Sequence, residues 1–229
     1  MDLPRRAPCL ISFAQRKGGV GKTTLAVSVA AELAARGVDT ALVDADPQAS
    51  ACEWARPGNL AFPVYGMPLD REPVAMWARR VREIDAACVV IDAPPHDRAV
   101  GAAVAISDIL VVPCTPSGLD IESTGQTLGI VRAVRERRPA HLDVLLVPNR
   151  VDARTLEGRQ VIDELRGFGE AVAGPIGNRQ AFVRAFSLGC SVAELAPLEK
   201  ADLEVRALAD SVMRLRPQRL ASRPAANFA

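Results

Sequence analysis

The residues with the clearest chemical potential form one stretch, Gln15-Arg16-Lys17-Gly18-Gly19-Val20-Gly21-Lys22-Thr23-Thr24. An apolar run precedes it and an alanine-rich run with helical spacing follows it, which predicts strand, glycine loop and helix. Glycines let backbone N–H groups turn toward a polyphosphate, and the helix N-terminus adds free N–H groups and a positive dipole end. Lys22 would reach the β- and γ-phosphates, and the Thr23 hydroxyl would bind Mg²⁺. The stretch therefore predicts a nucleotide site.

A basic, glycine-rich turn with no ligand is the alternative, and the distribution of lysine argues against it. The chain has 28 Lys and Arg residues, of which only Lys17, Lys22 and Lys200 are lysines. Two of these lysines stand in the loop, so the nucleotide site is the favoured interpretation.

The loop departs from the usual G-x-x-x-x-G-K-[ST] pattern, because the first glycine would fall on Arg16. The sequence K-G-G-V-G-K-T-T resembles instead the deviant Walker A motif of the ParA/MinD superfamily of ATPases. The resemblance implies that Lys17 to Thr24 bind ATP, and that Lys17 crosses a homodimer to the nucleotide of the partner subunit. The alternative is a lysine that contacts phosphate within its own chain, and the spacing does not decide between them. We expect catalytic roles for Lys17 and Lys22.

Asp92 directly follows the apolar run Val89-Val90-Ile91. This is the position of a Walker B aspartate, which orients a water on Mg²⁺. The alternative is an aspartate that only caps the following loop. Given the glycine loop upstream, we favour the metal role, with Thr23 as a second metal-binding residue.

The stretch Leu42-Val43-Asp44-Ala45-Asp46-Pro47-Gln48 resembles the D-x-D-P-Q signature of ParA-like ATPases. The resemblance implies that Asp44 positions the attacking water and that Asp46 helps to organise the Mg²⁺ shell. The alternative is that one of the two only caps the next helix. Asp46 is the better candidate for that cap, because Pro47 suits the first position of a helix.

Asn149 ends another apolar run, and in relatives a residue near this position hydrogen-bonds adenine. An asparagine amide offers both the donor and the acceptor that a base edge requires. A turn-forming asparagine is an equal alternative. His96 and His141 have no partners at ligand spacing, so we expect both at the surface.

Apolar runs alternating with helical patterns indicate a parallel sheet covered on both faces. The fold class predicted is α/β: a doubly wound, mainly parallel sheet flanked by helices, of the P-loop NTPase type. Gln15, Asp44, Asp92 and Asn149 follow strands, so we expect them at the carboxyl edge, where open α/β sheets bind ligands. Predicted strands are residues 9–14, 40–43, 61–65, 87–91, 109–112 and 144–147; predicted helices are 23–36, 74–84, 117–137, 155–166, 179–188 and 200–215.

The bulk composition fits one cytoplasmic domain. Of 229 residues, 49% are hydrophobic and 4% aromatic, so the core must be built from Val, Leu, Ile and Ala. We expect a single ATPase domain at residues 1–216 and a mobile tail at 217–229. The 5 cysteines form no C-x-x-C motif, which is typical of a reducing compartment. We see no signal peptide and no apolar run near the ~20 residues of a membrane span.

The resemblance to ParA-like ATPases runs from about residue 9 to 215, and residues 46–50 followed by Trp54 are most similar to short ParF-type partition proteins. We expect no N-terminal helix-turn-helix domain. The resemblance implies an ATPase that dimerises with ATP and binds nonspecific DNA on the nucleoid. A ParB- or ParG-like partner would stimulate hydrolysis and release, and so segregate plasmid or chromosomal DNA. With a net charge of +1, DNA contacts must be local; the candidates are Arg179, Arg184, Arg214, Arg216 and Arg219.

Three alternatives share this fold. A ParA-like ATPase can position a protein cargo, such as a carboxysome or a chemoreceptor cluster. A MinD-like membrane ATPase needs a terminal amphipathic helix, but the apolar face of the last helix is better explained as core. A redox or kinase relative is disfavoured, because no cysteine pair is placed to bridge a cluster and Tyr65 is the only tyrosine.

Overall fold

The computed structural model describes residues 7–138 and 140–216. Within them, seven parallel strands form one sheet in the order β3-β2-β4-β1-β5-β6-β7. The strands are β1 (Cys9–Phe13), β2 (Thr40–Asp44), β3 (Val64–Gly66), β4 (Cys88–Asp92), β5 (Ile109–Cys114), β6 (Asp143–Pro148) and β7 (Ala171–Val172). The α-helices are α1 (Lys22–Ala35), α2 (Ser50–Ala55), α3 (Val74–Arg82), α4 (Asp97–Ile106), α5 (Gly118–Arg135), α6 (Leu156–Arg166), α7 (Gln180–Leu188), α8 (Val192–Leu195) and α9 (Lys200–Leu215). The predicted fold class is confirmed.

Alternate residues of each buried strand pack into two separate hydrophobic cores, one on each face of the sheet. Leu10 of β1 packs into one core, with helices α3, α4, α5 and α6. Ile11 of the same strand packs into the other, with α1, α2, α7, α8 and α9. This two-sided burial explains why the strands are continuous apolar runs rather than alternating ones.

The long periodic helices were predicted to within two or three residues, whereas short elements were missed. Helix α4, helix α8 and the two-residue strand β7 were not predicted. Ala and Gly occupy half of the 10 positions of helix α4, so its apolar period is weak. The predicted tail at 217–229 lies outside the described residues.

The strand register brings the polar strand ends together. Asp44 of β2 pairs in register with Asp92 of β4, and Asp92 pairs with Phe13 of β1. The Asn149 N–H donates to the Cys114 carbonyl at the end of β5, 2.8 Å away. The expected convergence at the carboxyl edge is therefore present in the structure.

Candidate functional site

The glycine loop between β1 and α1 has the backbone that the sequence predicts. Gly19 and Gly21 have φ values of 78° and 95°, which favour glycine, and Gly21 is the N-cap of α1. A Cβ built on Gly21 would lie 2.3 Å from the Asn149 Nδ2 atom. Both the left-handed backbone and this close approach therefore require glycine at position 21.

Lys22 places a buried ammonium group under the loop. Its Nζ donates to the Lys17 carbonyl, 3.1 Å away, and the residue is 7% exposed. Burial lowers the pKa of Lys22, and the nearby carboxylates of Asp92 and Asp46 oppose this change. The Lys22 ammonium group thus lies near two carboxylates. Within the described part of the chain it makes one hydrogen bond.

Asp92 is the most isolated charged group of the site. It is 1% exposed, and neither carboxylate oxygen has a hydrogen-bond partner among the described residues. Burial raises its pKa to about 7; the neighbouring Thr23 side chain opposes the rise and Asp44 adds to it. Asp92 therefore does not cap the following loop, which was the alternative to a metal role.

These unpartnered oxygens fit a divalent cation. Oxygen donors are what Mg²⁺ prefers, and it usually keeps several waters and phosphate ligands beside one or two carboxylates. No group of three or more His, Cys, Asp or Glu side chains within residues 7–138 and 140–216 is arranged to hold a metal. A Mg²⁺ at Asp92 would thus depend on ligands from the Thr23 hydroxyl and a bound nucleotide.

Asp44, and not Asp46, occupies the N-terminus of α2. Its Oδ2 accepts hydrogen bonds from the N–H groups of Ala51 and Cys52 at 2.9 and 3.0 Å, and its Oδ1 accepts one from the Asp46 N–H at 3.2 Å. Burial raises the pKa of Asp44, and these N–H donors oppose the rise. The carboxylate is thereby fixed at the end of β2.

The expectation that Asp46 caps α2, with Pro47 in its first turn, is wrong. The Asp46 side chain accepts from the Gln48 N–H at 2.9 Å and so closes a local turn. Ala49 then adopts a left-handed conformation with φ of 54°, which delays α2 until Ser50. The Mg²⁺ role expected for Asp46 stays a prediction.

Lys17 forms an ion pair within its own chain. Its Nζ contacts Asp120 Oδ1, while the Thr115 hydroxyl donates to Asp120 Oδ2. Asp120 lies in the first turn of α5 and is 4% exposed. No motif predicted a role for Asp120, although its place just after β5 puts it at the ligand edge. The role of Lys17 across a dimer stays a prediction.

Gln15 ties the loop entrance to α5. Its Oε1 accepts from the Arg16 N–H at 2.8 Å, and its Nε2 donates to the Thr124 hydroxyl at 3.0 Å. Gln15 and Thr124 are fully buried. This network fixes the backbone just before Lys17.

Asn149 makes a structural contact that the sequence did not reveal. Its Nδ2 donates to the Val20 carbonyl, 2.7 Å away, and so holds the loop against β6. The residue also lines a cavity of about 370 Å³, together with Gly21, Thr23 and Phe182 of α7. The expected contact with adenine stays a prediction.

The candidate DNA-binding arginines have different environments. Arg179 pairs with Glu204 at 2.6 Å and Arg216 pairs with Asp143 at 2.9 Å. Arg184 is exposed on α7, whereas Arg214 donates to the Ser211 hydroxyl at 2.9 Å. Arg219 lies outside the described residues.

Both histidines lie at the surface, as expected, and the cysteines differ in burial. His96 is the N-cap of α4, where its Nδ1 accepts from the Ala99 N–H at 3.2 Å. His141 lies at the surface, 3.0 Å from Asp143 Oδ1. Cys9, Cys88 and Cys114 are buried, and Cys52 and Cys190 are partly buried. None of the described helices is long and apolar enough to span a bilayer.

Comparison with known proteins assigns the class. Residues 11–192 match the CbiA family, described as the CobQ/CobB/MinD/ParA nucleotide binding domain, and the chain belongs to this family. The ParA/MinD resemblance is thereby confirmed, together with the P-loop NTPase fold.

The names of similar proteins refer to distribution or partitioning. Maintenance of carboxysome distribution protein A of Gloeobacter kilaueensis is 38% identical over 183 residues, or 78% of each chain. The chromosome-partitioning ATPase Soj of Thermus thermophilus is 31% identical across 89% of this chain and 94% of its own length. A putative plasmid partition protein of Borrelia burgdorferi, solved with AMPPNP, shares the fold with a TM-score of 0.74 at 17% identity, covering 90% and 99% of the chains.

Proposed function

We propose that this protein is a Mg²⁺-dependent ATPase that positions a cargo by an ATP-timed switch. One observation carries the proposal: neither buried carboxylate oxygen of Asp92 meets a hydrogen-bond partner within the part of the chain that the structure describes, and the Thr23 side chain and the buried ammonium of Lys22 lie beside it. Isolated buried charges of this kind destabilise a fold unless a ligand completes them. A bound Mg²⁺ would offset the negative charge of Asp92, and a triphosphate would offset the positive charge of Lys22.

Each residue then has a defined task. The N–H groups of the loop and Lys22 bind the phosphates, and Thr23, Asp46 and Asp92 provide donors for Mg²⁺, which neutralises phosphate charge when bound. Asp44 orients the attacking water, because its carboxylate is fixed beside Asp92 at the strand ends. Asn149 lines the adjoining cavity, where the base is expected.

Lys17 acts in trans in this proposal. A cation supplied from a second subunit to the transferring phosphate is worth about 10³–10⁵ in rate in related chemistry. The Lys17–Asp120 pair would then be exchanged for a contact with the partner subunit's nucleotide, so ATP favours a homodimer.

The cargo we propose is plasmid or chromosomal DNA. The ATP dimer would bind nonspecific DNA on the nucleoid and release it when a ParB- or ParG-like partner stimulates hydrolysis. The match with the chromosome-partitioning ATPase Soj over most of both chains supports this. The higher identity with a carboxysome distribution protein favours a second candidate, in which the same switch positions a protein cargo.

The membrane alternative receives no support from α9. Val205, Leu208 and Val212, which form one face of this helix, are buried, and Leu203 is its one large apolar side chain among the described residues that is exposed. We therefore propose a cytoplasmic protein with no membrane partner.

The proposal is tested by separating binding from hydrolysis. Binding of a fluorescent ATP analogue with Mg²⁺ and release of phosphate from ATP are measured for wild type, Lys22→Ala and Asp44→Ala. We expect Lys22→Ala to lose binding, and Asp44→Ala to keep binding and ATP-dependent dimerisation but lose turnover. A wild-type protein that binds no nucleotide, or normal turnover in Asp44→Ala, would contradict the proposal.

A further inference from the structure

The Asp44 carboxylate depends on a very short helix. Its Oδ2 atom is held by the N–H groups of Ala51 and Cys52, in the first turn of the six-residue helix α2. A helix of this length is not stable alone. The N-cap, Ala49, provides no side-chain hydrogen bond. The position of these N–H donors must therefore come from tertiary contacts of α2.

Trp54 makes the central contact of that kind. It is 2% exposed, and its indole Nε1–H donates to the Cys190 carbonyl, 3.0 Å away in the turn between α7 and α8. Its ring packs edge to face against Phe186 of α7, with centroids 5.4 Å apart. The side chain thus joins α2 to α7 and to the turn that follows it.

Two further contacts hold the chain after α2 against the same turn. The Asn59 Nδ2 donates to the Leu188 carbonyl at 3.0 Å. Gly189 packs so closely that a Cβ there would lie 2.4 Å from Cγ of Pro57. Along the chain, Trp54 lies between these contacts and Cys52, two residues after the second of the two N–H donors on Asp44.

We propose that Trp54 is a positioning residue for hydrolysis: by fixing α2 against the α7–α8 turn, it keeps the Ala51 and Cys52 N–H groups on Asp44 and so orients that carboxylate. Trp54 acts only through Asp44 and needs no contact with the reacting atoms. The inference rests on the proposed ATPase function. It also links the wall of the nucleotide cavity to the reacting centre, because Trp54 and Phe186 both line that cavity.

The chain provides a matched control in Trp77, its only other tryptophan. Trp77 is 1% exposed, and its Nε1–H donates to the Met67 carbonyl at 2.8 Å. Met67 contacts the backbone carbonyl of Asp44, not its carboxylate. Replacing either tryptophan by phenylalanine therefore removes one indole hydrogen bond to a backbone carbonyl, but only the replacement of Trp54 loosens α2.

The kinetic test compares Trp54→Phe and Trp77→Phe with wild type. We expect kcat for ATP hydrolysis to fall about tenfold in Trp54→Phe, the size of effect that follows a small misplacement of a reacting group, with KM changed less than about twofold. Trp77→Phe should keep kcat within about twofold. Equal losses in both variants, or full activity in Trp54→Phe, would overturn the proposal.

A double variant shows whether Trp54 acts through Asp44. Once Asp44→Asn is present, Trp54→Phe should reduce the residual rate no further, because the two residues form one unit. A full additional loss in the double variant would contradict a positioning role. Amide hydrogen exchange of peptides covering residues 49–55 gives an independent readout. Exchange should become faster in Trp54→Phe and Asp44→Asn but not in Trp77→Phe, and unchanged exchange in Trp54→Phe would overturn the proposal.

The failure of this inference differs from failure of the proposed function. If the wild-type protein hydrolyses no ATP, the ATPase proposal itself is refuted. If wild type and Trp54→Phe hydrolyse ATP equally fast, only the proposed role of Trp54 is refuted.

Discussion

At the scale of single residues, Asp92 makes stability depend on pH. Its pKa in the folded protein is about 7, against 3.8 for a free aspartate, chiefly because the carboxyl is buried. Between these values the folded chain holds a proton that the unfolded chain has released. The free energy of unfolding therefore falls as pH rises through this window, by up to about 1.4 kcal/mol per pH unit from this group.

The prediction is that Asp92→Asn removes this dependence. Without nucleotide and Mg²⁺, urea unfolding at pH 5 and pH 7.5 should show a larger loss of stability in wild type than in Asp92→Asn. The asparagine variant should be the more stable protein at pH 7.5. Parallel pH curves for the two proteins would show that the carboxyl is not a buried, uncompensated group.

Lys17 is the second residue whose role is open to a direct test. We expect Lys17→Gln to impair ATP-driven dimerisation and hydrolysis, because the amide removes the cation proposed to reach the partner subunit's nucleotide. Lys200→Gln removes a lysine at the start of α9 and serves as the control. Light scattering with a non-hydrolysable ATP analogue measures dimerisation, and a Lys17→Gln variant that still dimerises and turns over normally would refute the trans role.

At the scale of elements, the loop, α1 and β6 work as one unit through Gly21. Replacing Gly21 with alanine would strain a left-handed backbone and press a Cβ against Asn149, whose amide holds the Val20 carbonyl. We expect Gly21→Ala to lose ATP binding at least about tenfold, since the loop would have to move off β6.

A substitution at Gly37 serves as the control that tests backbone strain without a contact like the one to Asn149. It has φ of 80°, close to that of Gly21, but a Cβ there would meet nothing within 4 Å. Gly37→Ala should therefore cost about 1–2 kcal/mol of stability and leave ATP affinity unchanged. If calorimetric titration with an ATP analogue gives the same affinity for both variants, the Asn149 contact is unimportant.

The same scale shows what the sequence can predict. Buried strands and α1, α5, α6, α7 and α9 were predictable, because long periods and continuous apolar runs depend on local sequence. The start of α2 was not, because Ala49 is left-handed although alanine has no local preference for that conformation.

Some site residues were predictable from the sequence, and others depend on contacts between distant parts of the chain. The aspartates at strand ends were found because parallel strands share one edge. The Asp120 pair, the Asn149–Val20 hydrogen bond and the Trp54 anchor join residues about 100 positions apart or more. No local pattern encodes such contacts, so only the folded chain reveals them.

At the scale of the whole molecule, the proposed DNA contacts must come from exposed arginines. Arg184 is exposed and makes no ion pair among residues 7–138 and 140–216, whereas Arg179 is already paired with Glu204. A cation without an acidic partner is free to neutralise phosphate and displace counterions. Arg184 should therefore contribute more to DNA affinity than Arg179, although the two lie five residues apart.

The prediction is that Arg184→Glu weakens ATP-dependent retardation of nonspecific DNA while ATP hydrolysis without DNA is unchanged. Arg184→Ala should lower the slope of log affinity against log salt by about one for each subunit that contacts DNA. Arg79→Glu is the control for net charge, since Arg79 is also exposed but lies on α3 and pairs with Glu83. Equal weakening by Arg79→Glu would mean that total charge, and not a surface on α7, governs DNA binding. Unchanged retardation in Arg184→Glu would exclude this residue from the surface and strengthen the case for a protein cargo.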